Sequence, residues 1–314
     1  MSRKPKPRSR RRFLFRLVLL AVVLLLGLGA AALAWALREL RTPHQSPTGH
    51  EVVLMIAQGQ TAAEILANLH RAGLIETVPL AKLYLRFALH GPPLLAGEYR
   101  FSGPQTIPQV LRKITRGDVI VRAVTLIEGL TLEETAAVLA AAGLGAADSF
   151  EQAMRNPEAI RELDPAAADL EGYLFPDTYS FAQGTSEATI VATLVRTFHS
   201  RWREIVPSPR APATFRERVI LASIVEKEAQ LDDERALIAG VYANRLRIGM
   251  ALYADPTIIF ALKRRGRWDG NLRRTDLQMD DPYNTYRVPG LPPGPICSPG
   301  AASLAAAAAP ASGP

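Results

Sequence analysis

Apolar and polar positions divide the chain into four stretches with different periodicities. The first is an uncharged apolar run of 21 residues, Leu17 to Leu37. At ~1.5 Å per residue it predicts one helix long enough to cross a hydrocarbon layer of ~30 Å. After a polar, Pro-containing linker at 38–50, short β-type runs alternate with helical ones. Val52 to Ile56, Gly59, Thr61, a helical stretch and Ala72-Gly73-Leu74 recur 70 residues later as Val124 to Ile127, Gly129, Thr131, a helical stretch and Ala142-Gly143-Leu144. Each copy reads as strand, turn, Thr-capped helix and Gly C-cap. With a strand at Ala96 to Phe101 and a helix from Ile107 to Thr115 between the copies, 51–145 is expected to form one small α+β module.

From Ser149 to Trp202 the pattern is mostly helical, interrupted by Leu170 to Tyr179, where aromatics alternate with Gly, Pro and Asp and predict an ordered loop or short extended segment. Tyr173 on that loop fits either stacking on a sugar ring or plugging an apolar gap. Ala213 to Gln230 predicts a helix with Thr214 as N-cap and Glu217 completing a capping box. A second helix, Asp232 to Ile248, starts with three acids that complement its dipole and stops at Gly249. Next, Asp255-Pro256 reads as a turn with Thr257 capping a short helix. Tyr283-Asn284-Thr285-Tyr286 and the Gly/Pro-rich run from Gly290 to Gly300 read as an irregular wall lining a groove. Ala305 to Pro314 is low in complexity and reads as a tail.

One carboxylate in this pattern suggests chemistry. At about 100° per residue, Leu221 and Ile224 lie within about 40° of Glu228, and Val225 and Ile220 within about 80°. Glu226 is about 160° away and is expected on the opposite face with Val219 and Ala222. A Glu on an apolar stripe is desolvated, which holds its proton to higher pH and suits it to act as a general acid. A structural salt bridge to Arg235 or Arg245 is the competing reading. Asn244 and Arg245, at the end of the next helix, are placed to donate hydrogen bonds across a cleft.

Charge and composition then narrow the class. The net charge is +7, but eight cations lie within the first sixteen residues without an acid, which leaves −1 for the rest. A nucleic-acid partner therefore loses its electrostatic footprint. The same cluster, just before the apolar run, places residues 1–16 in the cytoplasm and everything after the helix at 17–37 outside it. A cleaved signal peptide, with Ala30, Ala32 and Ala34 near a cleavage site, is the alternative. Cys297 is the single cysteine and forms no intrachain disulfide. The five histidines, His44, His50, His70, His90 and His199, show no metal-ligand spacing.

The chain resembles the endolytic murein transglycosylase (MltG/YceG-like) family. The matching segments are Glu128 to Thr131, Glu171 to Tyr179, Ala222 to Glu228, Asn244 to Leu246, Asp255 to Thr257, Tyr283 to Tyr286 and Gly290 to Gly294. The resemblance implies an α+β protein: an inner-membrane anchor, a LysM-like module at 51–145 and a lysozyme-like catalytic domain at 146–304. It also implies one essential Glu, for which Glu228 is the first choice and Glu226 the second. Asn244, Arg245, Asp255, Thr257, Tyr283, Asn284, Thr285, Tyr286 and Tyr173 are the candidate substrate-binding residues. The implied reaction cuts the MurNAc-GlcNAc bond of peptidoglycan strands to a 1,6-anhydro end, outside the cytoplasm and with neither metal nor cofactor. Peptidoglycan synthases (penicillin-binding proteins) are the implied partners. Two features depart from the family pattern: Tyr253 stands where Gln is usual, and the tail at 305–314 replaces a further strand-forming segment. A membrane-tethered, non-catalytic peptidoglycan-binding protein is the alternative reading.

Overall fold

The computed structural model describes residues 8–44, 51–206 and 213–311. The cationic side chains of residues 3–12, residues 45–50 of the expected linker and 312–314 of the expected tail lie outside the described positions. The chain forms two compact units, Met1–Ile120 and Val121–Pro314.

The first unit begins with helix α1 (Arg8–Arg41). Its portion Phe13–Arg41 is long and apolar enough to cross a membrane by length and composition. Its large side chains are exposed, Leu25 at 68% for instance, while Ala36 and Leu40 near its end pack against the unit's core. Strand β1 (Val52–Ile56), helices α2 (Ala62–Arg71) and α3 (Val78–Phe87), strand β2 (Gly97–Phe101) and helix α4 (Ile107–Arg116) follow. β1 and β2 are antiparallel, with Val52 opposite Phe101 and Ile56 opposite Gly97. Ile65, Leu69, Tyr99, Phe101, Ile107 and Ile114 close the core beneath them.

The second unit contains β3 (Val121–Thr125), α5 (Leu132–Ala141), α6 (Ala147–Met154), β4 (Thr178–Ala182), α7 (Glu187–Ile205), α8 (Phe215–Glu228), α9 (Arg235–Arg247), α10 (Asp255–Arg264) and α11 (Ala301–Ala308). β3 pairs antiparallel with β4, Val124 opposite Tyr179. The sequence repeat is real at the local level. Thr61 and Thr131 both form capping boxes, with Glu64 and Glu134. Gly73 and Gly143 both turn left-handed after their helices, at φ 71° and 72°.

The two copies nevertheless fall in different units. The partner of β3 lies more than fifty residues further on, so the expected boundary at 145/146 moves to 120/121. Long-range strand pairing, which the local pattern does not encode, makes that decision.

Three other expectations change. α8 is not amphipathic: every residue from Arg218 to Val225 is buried, including Val219 and Ala222 on the face assigned to solvent. It is a central helix, packed against α9, α10 and α11, and such a helix has no polar side from which to read a phase. Of the expected groove wall, Gly290–Pro293 line a cavity of about 890 Å³, but the remaining run, Pro295–Gly300, is buried. Its Ile296 N–H donates to Ser223 Oγ (3.1 Å) and its Cys297 thiol to the Ser223 carbonyl (3.3 Å). Finally, Ala305 to Ala308, read as the start of a tail, complete α11, in which Leu304 is fully buried and Ala306–Ala308 join the main core. Alanine-rich composition marks low complexity and also a small-residue helix that lets neighbours approach, and here packing selects the second.

The loop before β4 is anchored by a buried acid. Glu171 Oε2 accepts the N–H of Leu132, the first residue of α5 (3.0 Å), where an acid also complements the helix dipole. Gly172 beside it has φ 84°, and a Cβ there would lie 2.3 Å from Pro295, so the position requires glycine. Burial, with Asp169 and Glu133 adding repulsion, pushes the Glu171 carboxyl up from 4.5 to about 8. Between those values the folded chain keeps a proton that the unfolded chain has released, so stability falls as pH rises from about 4.5 to about 8. We expect a loss on the order of 4 kcal/mol over that window and a much flatter profile in Glu171→Gln. Urea unfolding of the detergent-solubilised chain across the pH range checks both slopes.

Candidate active site

Two glutamates end α8, and the structure gives them opposite surroundings. The Glu226 side chain is 6% exposed and paired with Arg235, itself 10% exposed, at 3.3 Å. Its other oxygen accepts the N–H of Gly300 at the start of α11 (2.8 Å). Arg235 also binds Asp232 and donates from Nε to Ser303 Oγ (3.1 Å). Glu226 thus ties α8, α9 and α11 together, with its charge matched by a guanidinium.

Glu228 has no such cation. Among the described residues no Lys, Arg or His nitrogen lies within 4 Å of its carboxylate; its hydrogen-bond donor is the Tyr242 hydroxyl, 2.9 Å from Oε1. Burial raises its carboxyl above the ordinary value, and the Asp255 charge adds to the rise. The Tyr242 hydrogen bond and Arg245 oppose it. The salt-bridge alternative is therefore fulfilled by Glu226, not Glu228. Burial raises Glu228, as it also raises Glu171 and Glu128, but the apolar stripe expected to cause it is absent. What leaves Glu228 able to exchange a proton is half-burial without a counter-ion.

A polar and aromatic cluster surrounds this acid. Tyr286 donates to Asp255 Oδ1 (2.6 Å), and its ring meets that of Tyr253 edge-on at 5.2 Å. Arg245 stacks over Tyr242 (5.8 Å) and Tyr253 (6.0 Å) while donating to the Leu252 carbonyl. Tyr253 is 45% exposed and adopts φ 52°. That conformation is costly for a non-glycine residue and persists where neighbours over-determine it. Here the Tyr253 N–H donates to the Thr285 carbonyl (3.2 Å) and Arg245 holds the preceding carbonyl. Lys227 and Pro256, next in sequence to Glu228 and Asp255, line a cavity of about 270 Å³ with Phe260, Lys263 and Trp268.

Of the candidate residues, Glu228, Arg245, Asp255 and Tyr286 come together. Thr257, Asn284 and Thr285 lie beneath them, fully or almost fully buried. Asn284 holds the carbonyls of Leu277 and Met279. Thr285 Oγ1 accepts from Ala254 and contacts Thr257 Oγ1 at 2.9 Å. Thr257 donates to the Ala254 carbonyl and caps nothing, because α10 already begins at Asp255, with Pro256 in its first turn. Asn244 is exposed and accepts from Arg247 (2.7 Å). Tyr173 plugs the core: it is 1% exposed, donates to Asp164 and packs against Phe198 and Phe215. Tyr283 packs on Phe260 and lines a separate cavity.

Tyr242 and Tyr253 were missed as site residues. A simple antiparallel hairpin turning at 229–234 would set Arg235 against Glu228. Arg235 instead reaches back to Glu226, and Tyr242, about two turns further along α9, meets Glu228. Tyr253 carried one signal: it is the residue that departs from the family pattern.

A sequence model of the YceG-like family matches residues 54–313. The chain belongs to the YceG-like family. It is 28% identical over 280 residues to the endolytic murein transglycosylase of Streptococcus pneumoniae serotype 2, covering 79% of this chain and 50% of that protein. It is 27% identical over 288 residues to the endolytic murein transglycosylase of Bacillus subtilis, covering 86% of this chain and 79% of that one. A 2.6 Å crystal structure of a YceG-like protein from Listeria monocytogenes superposes with TM-score 0.53 at 29% identity, covering 83% of this chain and 91% of that one. The chain thus spans about half the length of the pneumococcal relatives it matches.

Within this YceG-like site the two acids should separate by stability. Glu226→Ala leaves Arg235 buried without its main partner and should cost about 3 kcal/mol or more. Glu228→Gln keeps an acceptor for Tyr242 and should stay within about 1 kcal/mol of the parent. Urea midpoints of the two variants, measured side by side, check the contrast.

Proposed function

We propose that this protein is a membrane-anchored lytic transglycosylase that cuts peptidoglycan strands between MurNAc and GlcNAc, with Glu228 as the single acid and base. The observation that carries the reading is the state of Glu228: half-buried, without a cation, held by one tyrosine hydroxyl, beside exposed aromatic rings. A general acid must hold its proton above the ordinary carboxylate range, and desolvation shifts Glu228 in that direction. The names of the pneumococcal and B. subtilis relatives supply the substrate class.

In the first step Glu228 donates its proton to the glycosidic oxygen as the C1–O bond breaks through an oxocarbenium-like state. The carboxylate left behind then takes the proton of the sugar's own C6 hydroxyl while that oxygen bonds to C1, forming the 1,6-anhydro ring and restoring the acid. Tyr242 orients the carboxyl and stabilises its ionised form between the steps. Tyr253 and Tyr286 offer ring faces for sugar stacking, and Arg245 and Asp255 fix those rings. Asp255 is engaged by Tyr286 and is assigned no nucleophilic role. We place α1 in the inner membrane, with its N-terminus cytoplasmic and the catalytic unit periplasmic, near the synthases that make nascent strands. We assign the first unit a LysM-like, glycan-holding role and the second a lysozyme-like catalytic one.

Purified peptidoglycan incubated with the protein should release anhydro-MurNAc ends, and Glu228→Gln should release none, as read by mass spectrometry. Reducing MurNAc ends would mean hydrolysis, and strand binding with no product from the parent protein would mean a scaffold. Because the acid must be protonated, kcat/KM should fall as pH rises through the raised Glu228 transition. Tyr242→Phe removes a donor that favours the carboxylate, so this alkaline limb should move to higher pH; a pH-rate profile of the variant reads the direction.

A further inference from the structure

Away from Glu228, the loop from Ala167 to Tyr173, the start of α8 and the segments around Tyr283 and Pro293–Pro295 line a second cavity, of about 260 Å³. Arg216 on its wall stands twelve residues from Glu228 on α8, or about 18 Å along the helix axis, so the cavity is separate from the proposed cutting site. It lies just under the ~300–1,000 Å³ typical of drug-sized ligand sites and suits something the size of one or two small amino acids.

Its polar lining holds two guanidiniums, two carboxyl groups and two tyrosine hydroxyls. Glu171 lines it, and one carboxyl oxygen, Oε1, is buried with no hydrogen-bond partner among the described residues. With its carboxyl pushed up to about 8, that group carries a proton at neutral pH and has an O–H to donate. Arg264 is exposed and stacks over Phe260 (5.7 Å) and Tyr283 (5.4 Å), with no carboxylate within 4 Å among the described residues. Arg216 uses its guanidinium on Asp164 and the Pro293 carbonyl, leaving N–H directions unspent. Asp169 Oδ1 accepts the N–H of Glu171 (3.0 Å). The remaining walls are Pro, Ala and Tyr. A buried donor without an acceptor is costly to leave unmet, and a guanidinium fork matches a carboxylate.

We propose that this cavity binds the terminal carboxylate of a short peptide with small side chains, Arg264 serving as its ion partner and Glu171 as its hydrogen-bond donor. Peptide ends attached to glycan and free amino acids or peptides share that chemistry. The site stands on its own residues and does not depend on Glu228 cutting glycan.

The test is isothermal titration of the detergent-solubilised full chain with N-acetyl-alanyl-alanine, its C-terminal amide, free alanine, a peptide-bearing glycan fragment and inorganic phosphate. The acid should bind and the amide should not. Arg264→Gln, an exposed change that leaves the core intact, should weaken the acid about tenfold or more, the loss expected for one charge-assisted hydrogen bond. The charged and titratable groups around Glu171 are Asp169, Glu133, Arg216, Arg264 and the hydroxyls of Tyr173 and Tyr283. With these present in both proteins, the parent should lose affinity as pH rises past about 8, while Glu171→Gln, a permanent donor, should not. A preference for the glycan fragment or for free alanine supports the site and assigns its source. Equal binding of acid and amide, equal binding of phosphate, no binding of the acid, or an unaffected Arg264→Gln would each overturn it.

Discussion

A helix buried on every side cannot carry an ionised carboxylate without a partner, and α8 carries two glutamates at its last two turns. The cost of desolvating a charge is several kcal/mol, so each glutamate must be met by a cation, by hydrogen-bond donors or by its own proton. Glu226 takes the first solution through Arg235 and the N–H of Gly300. Glu228 is met by the Tyr242 hydroxyl, and burial shifts it towards holding its own proton. Much of the second unit's layout follows from this division. Arg235 must come back from α9 and Gly300 must arrive from a distant segment, which brings α9 and α11 onto α8.

The same physics separates three acids of this unit by role. Glu226 is ion-paired and structural. Glu171 is buried with one oxygen on the helix α5 N-terminus and the other unmatched among the described residues. Glu228 sits at the edge, where a ligand can reach it. Burial alone would not rank them, since Glu228 is the least buried of the three. What distinguishes a candidate acid is partial desolvation combined with access and the absence of a counter-ion, and all three conditions come from neighbours in space.

The irregular segments do more structural than chemical service. Asn284 and Thr285 fasten loops, Tyr173 fills the core and Pro295–Gly300 runs along α8 inside the protein. The side chains of Asn284 and Thr285 are spent on backbone groups that have no helix or sheet to satisfy them. Exposed Tyr253 and Asp255 and half-buried Tyr286 and Arg245 are what this scaffold presents near Glu228.

By itself the sequence determined the elements whose causes are local. The apolar run of α1, the capping boxes at Thr61, Thr131 and Thr214, and the left-handed glycines at 73 and 143 are all readable from neighbours within a few residues. Local hydrogen bonds and φ preferences decide such features, and those are written in adjacent letters. Only the tertiary structure decided that β3 pairs with β4 and so moves the unit boundary, and that α8 is buried all round. It alone paired Arg235 with Glu226, brought Tyr242 to Glu228 and turned an alanine-rich end into a core helix. Each of these depends on which distant surfaces meet, and desolvation and ion pairing act across space regardless of separation along the chain.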